Sequence, residues 1–372
     1  MTTARRVLVT GGAGFIGANF VRYWSDHYPD DRLVVLDALT YAGNLANLAS
    51  VSDRGNYKFV HGNILDEAML DDVMRQQQID TIVHFAAESH VDRSIHEPDA
   101  FIQTNVVGTN KLLMAARRLW LDSDAAPETH LFHHVSTDEV YGTLGADDPP
   151  FTEHTTYAPN SPYAASKAAS DHLVRSYHHT FGLQVTTSNC SNNYGPFQFP
   201  EKLIPLMIVN ALTGKPLPVY GDGSNIRDWL YVEDHCRGID LVMNKGQVGG
   251  TYNIGGNNEW RNIDIVNQLC VSIDAAFSRD DRLAGQFPDA PAASGRKTES
   301  LITFVKDRLG HDWRYAIDAT LAQSELGYNP KEDFASGFQL TLNWMLQNEN
   351  WWRAVMDGSY RDWISKNYSA GA

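Results

Sequence analysis

Side chains that can handle protons are concentrated in one stretch of the sequence, residues 135–167. The stretch contains a hydroxyl pair, an acid pair, and a phenol followed by an amine; these are Ser136-Thr137, Asp138-Glu139, and Tyr163 with Lys167. Carboxyls, phenols and amines are groups that enzymes use as general acids and bases. The stretch is therefore the candidate catalytic segment.

Tyr163 and Lys167 lie four residues apart, at the start of a helix predicted over 162–181. A proline fits the first turn of that helix, and either Asn160 or Ser161 can cap it. Residues four apart share a helix face, and a nearby ammonium favours the charged phenolate. We therefore expect Lys167 to lower the pKa of Tyr163 toward neutral pH, which would make Tyr163 a general base.

Asp138 and Glu139 follow a short apolar strand predicted over 131–135. Ligands of open α/β sheets bind beyond the carboxyl ends of the strands, so the Thr137 hydroxyl can share a substrate proton with Tyr163 there. Neighbouring side chains of an extended strand point to opposite faces. Both carboxyls reach one site only if the backbone turns at Thr137; otherwise they are a helix cap and a solvated acid.

A glycine-rich turn near the N-terminus predicts a dinucleotide site. The strand of residues 5–10 runs into GGAGFIG (11–17), and helical spacing follows. Such a turn lets the backbone approach a pyrophosphate at a helix N-terminus. A second strand, 33–36, ends at Asp37, whose carboxylate can accept hydrogen bonds from the adenosine ribose and repel a 2′-phosphate. We expect NAD rather than NADP.

Strands and helices alternate through the first half of the chain. Further strands are predicted over 57–61, 79–85 and 183–188, and further helices over 66–76 and 101–119. This alternation predicts an α/β fold, with a doubly wound, parallel-sheet Rossmann domain and a smaller α/β substrate-binding lobe. The Rossmann domain comprises 1–190 with returning segments near 229–256 and 312–335, and the smaller lobe comprises 191–228, 257–311 and 336–372.

Composition limits the expected partners and location. The 372 residues carry a net charge of −15, and an acidic surface repels phosphate backbones and anionic lipid. No apolar run approaches membrane-spanning length, so we expect neither nucleic acid nor membrane as a partner. Three dispersed cysteines, Cys190, Cys236 and Cys270, indicate free thiols in a reducing compartment. No signal region precedes the first strand and no metal-ligand spacing appears, so we expect a cytoplasmic protein without a metal.

Single basic residues appear after position 196, in the predicted smaller lobe. Arg227 is the best candidate for clamping a diphosphate, because a guanidinium matches phosphate oxygens two at a time. The alternative interpretation is an ion pair between Arg227 and its neighbour Asp228.

Seven motifs together resemble a known family over nearly the whole chain. They are TGGAGFIG (10–17), LTYAGN (39–44), AAESHVDRS (86–94), STDEVYG (136–142), YAASK (163–167), SNNYGP (191–196) and RDWLYVEDH (227–235). The chain resembles the extended short-chain dehydrogenase/reductase family and, within it, the 4,6-dehydratases that act on dTDP-glucose. Epimerases share the glycine and Tyr/Lys motifs, and the Thr-Asp-Glu triplet selects the dehydratase branch.

The resemblance implies an NAD-dependent, redox-neutral dehydration of dTDP-glucose to dTDP-4-keto-6-deoxyglucose in deoxysugar biosynthesis. Tyr163, Lys167 and Thr137 would oxidise the sugar at C4. Asp138 and Glu139 would eliminate water across C5 and C6, after which the hydride returns to C6. Because the cofactor ends as it began, NAD should stay bound between turnovers.

The resemblance also assigns binding residues. The NAD site would comprise Gly11, Gly14, Phe15, Ile16, Gly17, Asp37, Leu39, Thr40, Gly43, Asn63, Ile64, Ala86, Ala87, Ser89, Thr104, Tyr163, Lys167 and Asn193. The nucleotide sugar would contact Ser89, Thr137, Asn192, Lys202, Leu203, Pro218, Val219, Tyr220, Arg227, Asn262, Arg308, His311 and Tyr315. Three residues depart from the family pattern: Ala38 replaces a lysine, Asn63 an aspartate and Leu309 a proline.

The resemblance implies a homodimer formed through the helices 101–119 and 162–181. Two other functions stay open. A nucleotide-sugar 4-epimerase needs Tyr163, Lys167 and NAD but has no task for an acid pair. A non-catalytic NAD-binding protein would be expected to have a broken Tyr/Lys/Thr set, whereas this set is intact. The base of the nucleotide also stays open, because thymine and uracil differ by one methyl group.

Overall fold

The computed structural model describes residues 4–124, 126–307 and 310–357. In chain order its strands are β1 (Arg6–Thr10), β2 (Arg32–Asp37), β3 (Tyr57–His61), β4 (Thr81–His84), β5 (Leu131–Thr137), β6 (Val185–Cys190), β7 (Asn192–Tyr194), β8 (Leu217–Tyr220), β9 (Ile226–Tyr231), β10 (Thr251–Ile254), β11 (Glu259–Arg261) and β12 (Ile302–Val305). Its α-helices are α1 (Phe15–His27), α2 (Glu67–Gln76), α3 (Val91–His96), α4 (Pro98–Phe101), α5 (Thr109–Trp120), α6 (Pro162–Phe181), α7 (Leu203–Leu212), α8 (Val232–Lys245), α9 (Asn262–Arg279), α10 (Arg282–Gln286), α11 (Phe334–Gln347) and α12 (Glu349–Met356).

Seven parallel strands form the central sheet, in the order β10-β6-β5-β4-β1-β2-β3. The predicted α/β, doubly wound class is confirmed. The strand order reverses between β1 and β4, and ligands of such sheets bind at this switch point, beyond the carboxyl ends of the strands. The glycine turn and the Thr-Asp-Glu triplet both follow carboxyl ends at this edge of the sheet.

The central strands are buried on both faces, which explains why their sequences are nearly continuous apolar runs. Along β1, Leu8 packs on one face with side chains of α2, α5 and α6, including Leu112. Val7 and Val9 pack on the other face with side chains of α1 and α8, such as Trp24. This alternation follows from the two-residue period of a strand. The buried sheet therefore fixes the positions of the segments that follow its strands.

Two smaller sheets, β11-β9-β7 and β12-β8, lie in the second half of the chain. A further hydrophobic core accompanies them, built largely by α7, α9 and α11 through residues such as Ile208, Leu269 and Phe338. The lobe boundaries given above stay a prediction.

The helix predicted over 101–119 differs from the structure, because α4 and α5 flank a π-helical segment, Ile102–Gly108. This segment carries buried Asn105, whose side chain accepts the Glu88 N–H (2.8 Å) and donates to the Glu88 carbonyl (2.9 Å) and to Ser166 Oγ (2.8 Å). π-Helical turns are frequent at functional sites. Asn105 thereby ties the loop after β4 to α6.

None of the helices in the three described ranges is long and apolar enough to cross a membrane. The same ranges hold no group of His, Cys, Asp or Glu side chains arranged to bind a metal ion. Cys190, Cys236 and Cys270 are buried free thiols.

Candidate active site

A cavity of about 460 Å³ lies at the carboxyl edge of the central sheet. It is lined by all five predicted catalytic residues, Thr137, Asp138, Glu139, Tyr163 and Lys167. From the predicted cofactor set it is lined by Gly11, Gly14, Phe15, Ile16, Gly17, Asp37, Thr40, Gly43, Asn63, Ile64, Ala86, Ala87, Ser89, Thr104 and Asn193. From the predicted substrate set it is lined by Asn192, Lys202, Leu203, Pro218, Val219, Tyr220, Arg227, Asn262, His311 and Tyr315. The structure therefore brings residues from both halves of the chain to one site.

Among the described residues, Leu39 is the predicted cofactor contact that does not line the cavity, because its side chain packs with the core on the α1 side of the sheet. Its backbone N–H donates to Asp37 (2.8 Å), so Leu39 acts on the site through Asp37. Arg308 and the departure at Leu309 lie outside the described residues. The departures Ala38 and Asn63 both line the cavity.

The glycine turn is closely packed against the end of β4. Gly11 has a φ of +69°, and a Cβ there would lie 2.6 Å from the Ala86 nitrogen. A Cβ at Gly17 would lie 2.3 Å from the Gly11 carbonyl oxygen. Among the described side chains none caps the N-terminus of α1, so its first N–H groups are available to an anion.

Asp37 is fixed at the end of β2 by the turn itself. Its carboxylate accepts the Ala13 N–H (2.9 Å) and the Leu39 N–H (2.8 Å). Burial raises the pKa of Asp37, and these two hydrogen bonds act in the opposite direction. Each carboxylate oxygen has further acceptor capacity, so the pinned carboxylate fits a ribose hydroxyl. The turn and Asp37 together fit a dinucleotide.

Several buried polar atoms of the cavity wall have no hydrogen-bond partner within the described ranges. They include Asn192 Oδ1, Asn262 Oδ1 and Asp138 Oδ2. A buried polar atom without a partner costs free energy, and native proteins rarely leave one without reason. These atoms are placed to hydrogen-bond a polar ligand.

The backbone turns after Thr137, as the use of both carboxyls requires. Strand β5 ends at Thr137, and a 3₁₀ turn, Asp138–Tyr141, follows directly. The Thr137 hydroxyl caps that turn by accepting the Glu139 N–H (3.3 Å). The Asp138 carboxyl is buried, and its pKa is raised well above the ordinary range, first by burial and then by the negative charge of Glu139. A carboxyl that holds its proton in this way is suited to act as a general acid.

Helix α6 begins as predicted, and its cap is Ser161, whose Oγ accepts the Ala164 N–H (3.0 Å). The expected effect of Lys167 on the pKa of Tyr163 is wrong. The pKa of Tyr163 is raised well above its ordinary value, because burial and the negative charge of Glu139 dominate. The buried Lys167 ammonium donates to the Val135 carbonyl (2.9 Å).

Asp171 is a buried residue beside the site that sequence reasoning missed. Its carboxylate accepts hydrogen bonds from His134 Nε2 (3.0 Å), Ser136 Oγ (2.8 Å) and the Tyr157 hydroxyl (3.0 Å). Burial raises the pKa of Asp171 to about 6, and the positive charge of Lys167 acts in the opposite direction. The available signal was its spacing of four residues from Lys167, on the same helix face.

Arg227 lies in the cavity wall with its guanidinium held in place. It donates to the carbonyls of Ile226 (2.7 Å) and Asp312 (3.0 Å), and it stacks over the Tyr315 ring at 4.3 Å from the ring centre. The neighbouring Asp228 lies on the opposite face of β9 and accepts backbone N–H groups of the loop 256–258. This geometry favours the clamp over the ion pair.

Glu201 lines the cavity and is another acidic residue that sequence reasoning missed. It is buried, burial raises its pKa to about 7, and His90 Nε2 lies 3.7 Å from its carboxylate. Lys202 donates to the Ser89 carbonyl (3.0 Å) beside it. The sequence offered no periodic signal here, because Glu201 lies in an irregular loop before α7.

Comparison with known proteins relates this chain to one family. The chain matches the family model described as GDP-mannose 4,6 dehydratase over residues 8–341. It is 55% identical to the dTDP-glucose 4,6-dehydratase of Xanthomonas campestris pv. campestris (strain B100) over 358 residues, which cover 95% of this chain and 97% of that protein. It is 54% identical to the dTDP-glucose 4,6-dehydratase of Neisseria meningitidis serogroup B, again over 358 residues, with 96% and 98% covered.

Solved structures give the same relationship. The fold is similar to DesIV, a dTDP-glucose 4,6-dehydratase from Streptomyces venezuelae crystallised with NAD and TYD bound, with a TM-score of 0.82, 46% identity and coverage of 94% of this chain and 99% of that one. It is also similar to a UDP-glucose 4-epimerase from Thermotoga maritima, with a TM-score of 0.78, 25% identity and coverage of 92% and 99%. The identity to the dehydratase is the higher of the two. The chain belongs to the dTDP-glucose 4,6-dehydratase family.

Proposed function

We propose that this protein catalyses the NAD-dependent, redox-neutral dehydration of dTDP-glucose to dTDP-4-keto-6-deoxyglucose, a step of deoxysugar biosynthesis. The observation that carries the proposal is the acid pair, buried Asp138 and partly exposed Glu139, in the same cavity as Tyr163, Lys167 and the glycine turn. The names of the relatives described above state that they act on dTDP-glucose. The acid pair provides a chemical basis for the same activity in this protein.

The glycine turn and Asp37 would hold NAD, with Lys167 beside it. When bound, NAD⁺ accepts a hydride from C4 of the sugar and returns it at C6. Tyr163 takes the proton of the C4 hydroxyl, and the Thr137 hydroxyl, which is hydrogen-bonded to Tyr163, lowers the cost of the phenolate. The product of this step is a ketone at C4, which makes the neighbouring C5 proton acidic.

Elimination then divides between the two carboxyls. Glu139 removes the C5 proton, while Asp138 donates its proton to the departing C6 hydroxyl, so that water leaves. Glu139 later returns a proton to C5 as C6 is reduced. Tyr163 gives up the proton that it took, Asp138 regains one, and the net change is the loss of one water.

This division requires Asp138 to be protonated and Glu139 to be ionised. Two nearby carboxyls can share one proton in this way. The raised pKa of Asp138 supports that assignment, because burial and the adjacent negative charge both favour its neutral form. A 4-epimerase would have no use for this arrangement, so the acid pair supports the dehydratase over the epimerase.

Two further properties belong to the proposal. We expect a homodimer that uses the helices of residues 101–119 and 162–181, which expose the apolar side chains Ile102 and Phe181. We also expect a cytoplasmic location, in keeping with the free thiols of all three cysteines and the reducing environment in which thiols persist.

The test is to incubate purified protein with dTDP-glucose, without added NAD, and to measure the product by mass spectrometry. The proposal predicts a nucleotide sugar lighter by one water, and no conversion by Tyr163→Phe. Recovery of a sugar of unchanged mass by the wild-type protein would contradict it. A parallel incubation with UDP-glucose measures how strongly the thymine methyl contributes to recognition.

A further inference from the structure

A C-terminal helix is hydrogen-bonded to the glycine turn through one buried side chain. The indole N–H of Trp351, on α12, donates to Asn47 Oδ1 (2.8 Å). Asn47 is buried, and its amide donates to the carbonyl of Ala13 (2.9 Å), in the middle of the turn. Trp351, which is 304 positions from Asn47 in sequence, is thereby linked to the dinucleotide motif.

Both backbone groups of Ala13 are fixed by partners from outside the turn. Its carbonyl accepts the Asn47 amide and also the Asn44 backbone N–H (3.0 Å). Its N–H donates to Asp37 (2.9 Å). These hydrogen bonds fix the orientation of the peptide planes on either side of Ala13. They thereby also constrain the direction of the N–H groups that follow at the start of α1.

A second contact connects the same indole to the loop that follows β7. Phe197 is buried, and its ring lies 5.9 Å from the ring of Trp351. Arg22, on α1, stacks over Phe197 at 5.0 Å, and Asn19 of the same helix donates to the carbonyl of Pro196 (2.9 Å). Trp351 is thus in contact with both ends of the phosphate-binding unit: the turn through Asn47, and α1 through Phe197.

We propose that Trp351 and Asn47 are positioning residues that hold the glycine turn in its NAD-binding conformation, so that retention of NAD depends on helix α12. The inference rests on the proposed function only in that NAD is the ligand of the turn. It adds a requirement of this reaction, because the reduced cofactor must not leave before its hydride has returned to the sugar. Neither residue lines the cavity among the described residues, so they act through Ala13.

The effect of removing one donor is expected to be moderate and confined to binding. Loss of a single hydrogen bond within this network should weaken NAD binding about five- to tenfold. Added NAD should restore most of the rate, because the catalytic side chains lie on β5, the 3₁₀ turn that follows it, and α6. A purely structural role would instead lower the amount of folded protein without changing the affinity of the folded fraction for NAD.

The test compares Trp351→Phe with Trp352→Phe, its neighbour on α12. Trp352 donates its indole N–H to the Met345 carbonyl (3.1 Å), within the C-terminal helices, so the control loses an indole donor without touching Asn47. The NAD content of each protein as purified, the rate of NAD loss after desalting, and the activity with and without added NAD are measured. We expect Trp351→Phe to lose NAD faster and to be rescued by added NAD, with Trp352→Phe retaining NAD like the wild type.

Equal NAD retention by Trp351→Phe and the wild type would overturn the inference, as would equal loss in both tryptophan variants. A wild-type protein that neither holds nor uses NAD would overturn the proposed function instead, so the two failures are distinguishable. If Trp351→Phe does not fold, Asn47→Asp provides the same test, because it keeps the acceptor for Trp351 and removes the donor to Ala13. Unchanged NAD retention in Asn47→Asp would then count against the inference.

Discussion

The carboxyl of Asp138 is buried while that of the adjacent Glu139 is partly exposed, and the charge of Glu139 adds to burial in raising the pKa of Asp138. One 3₁₀ turn therefore presents a protonated acid and a potential base to the same cavity. Because only one carboxyl is buried, one group can act as the general acid and the other as the general base. Two solvated carboxyls would have similar pKa values and could not take these separate roles. This arrangement is also the feature that distinguishes a dehydratase from an epimerase on this scaffold.

Removing either carboxyl should stop the elimination and spare the oxidation. We expect Asp138→Asn and Glu139→Gln to lower the rate of dehydration by about 10²–10⁴, the usual contribution of a general acid or base. Oxidation at C4 should continue, so that bound NADH accumulates and is visible by absorbance. Asp147→Asn, at an exposed acid of the following loop, is the control and should behave like the wild type. Normal dehydration by both active-site variants would contradict the assignment.

Asp171 should make the protein less stable as the pH rises from about 4 to about 6. Its pKa in the folded protein is about 6, whereas an aspartate of an unfolded chain titrates near 4. Within this window the folded protein still holds a proton that the unfolded chain has released, so the contribution to stability is largest below about pH 4, falls through the window, and is constant above it. Asp171→Asn should flatten this part of the curve.

The measurement for Asp171 is the free energy of unfolding in urea at a series of pH values. Asp72→Asn, at an exposed position of α2, is the matched control and should keep the wild-type slope. An unchanged slope in Asp171→Asn would show that another group is responsible. Because the Asp171 carboxylate also raises the pKa of buried Lys167, the same variant should be less active above about pH 6, where Asp171 is ionised.

Arg227 should contribute to substrate binding more than to the chemical steps. Arg227→Lys keeps the charge but loses the planar fork that matches two phosphate oxygens. We expect KM for the nucleotide sugar to rise about ten- to hundredfold, the equivalent of one charge-assisted hydrogen bond, with a small change in kcat. Arg261→Lys, in the exposed pair with Asp264, should leave KM unchanged. A lower kcat at constant KM would assign Arg227 to catalysis instead.

The glycine turn should not accept a side chain at Gly17. A methyl group there would lie 2.3 Å from the Gly11 carbonyl oxygen, so α1 and the turn must move apart. We expect Gly17→Ala to lower the free energy of unfolding by about 1–3 kcal/mol and to abolish NAD retention. Gly55→Ala, at a position with open space around the added methyl, is the control. Normal NAD retention by Gly17→Ala would show that the turn tolerates the movement.

The sequence predicted those features that depend on local pattern. Strand and helix periodicity gave the order of elements, and the proline and serine at 161–162 predicted the start of α6, which the structure confirms. The turn at Thr137 could be stated only as a condition, because adjacent carboxyls point apart unless the strand ends. The observed strand runs two residues beyond the predicted 131–135 and ends at Thr137 itself.

Features that depend on contacts between distant residues could not be predicted. The pKa of Tyr163 is governed by burial and by Glu139, from another element, whereas the sequence showed only Lys167 beside it. The hydrogen bond between Trp351 and Asn47 could not be predicted, because the two residues lie far apart in sequence. An aromatic C-terminal segment is typical of core packing. The Leu39 side chain packs into the core because its backbone has a φ of +50°. No side-chain pattern in the sequence indicates such a backbone conformation.

Whether a hydride leaves C4 and returns to the same sugar is tested most directly by following an isotope. dTDP-glucose carrying deuterium at C4 is converted in ordinary water, and the product is examined by NMR and mass spectrometry. The proposed mechanism predicts a product lighter by one water that carries the deuterium at C6. A product without deuterium, or a sugar that keeps its deuterium at C4 and all its oxygens, would contradict it.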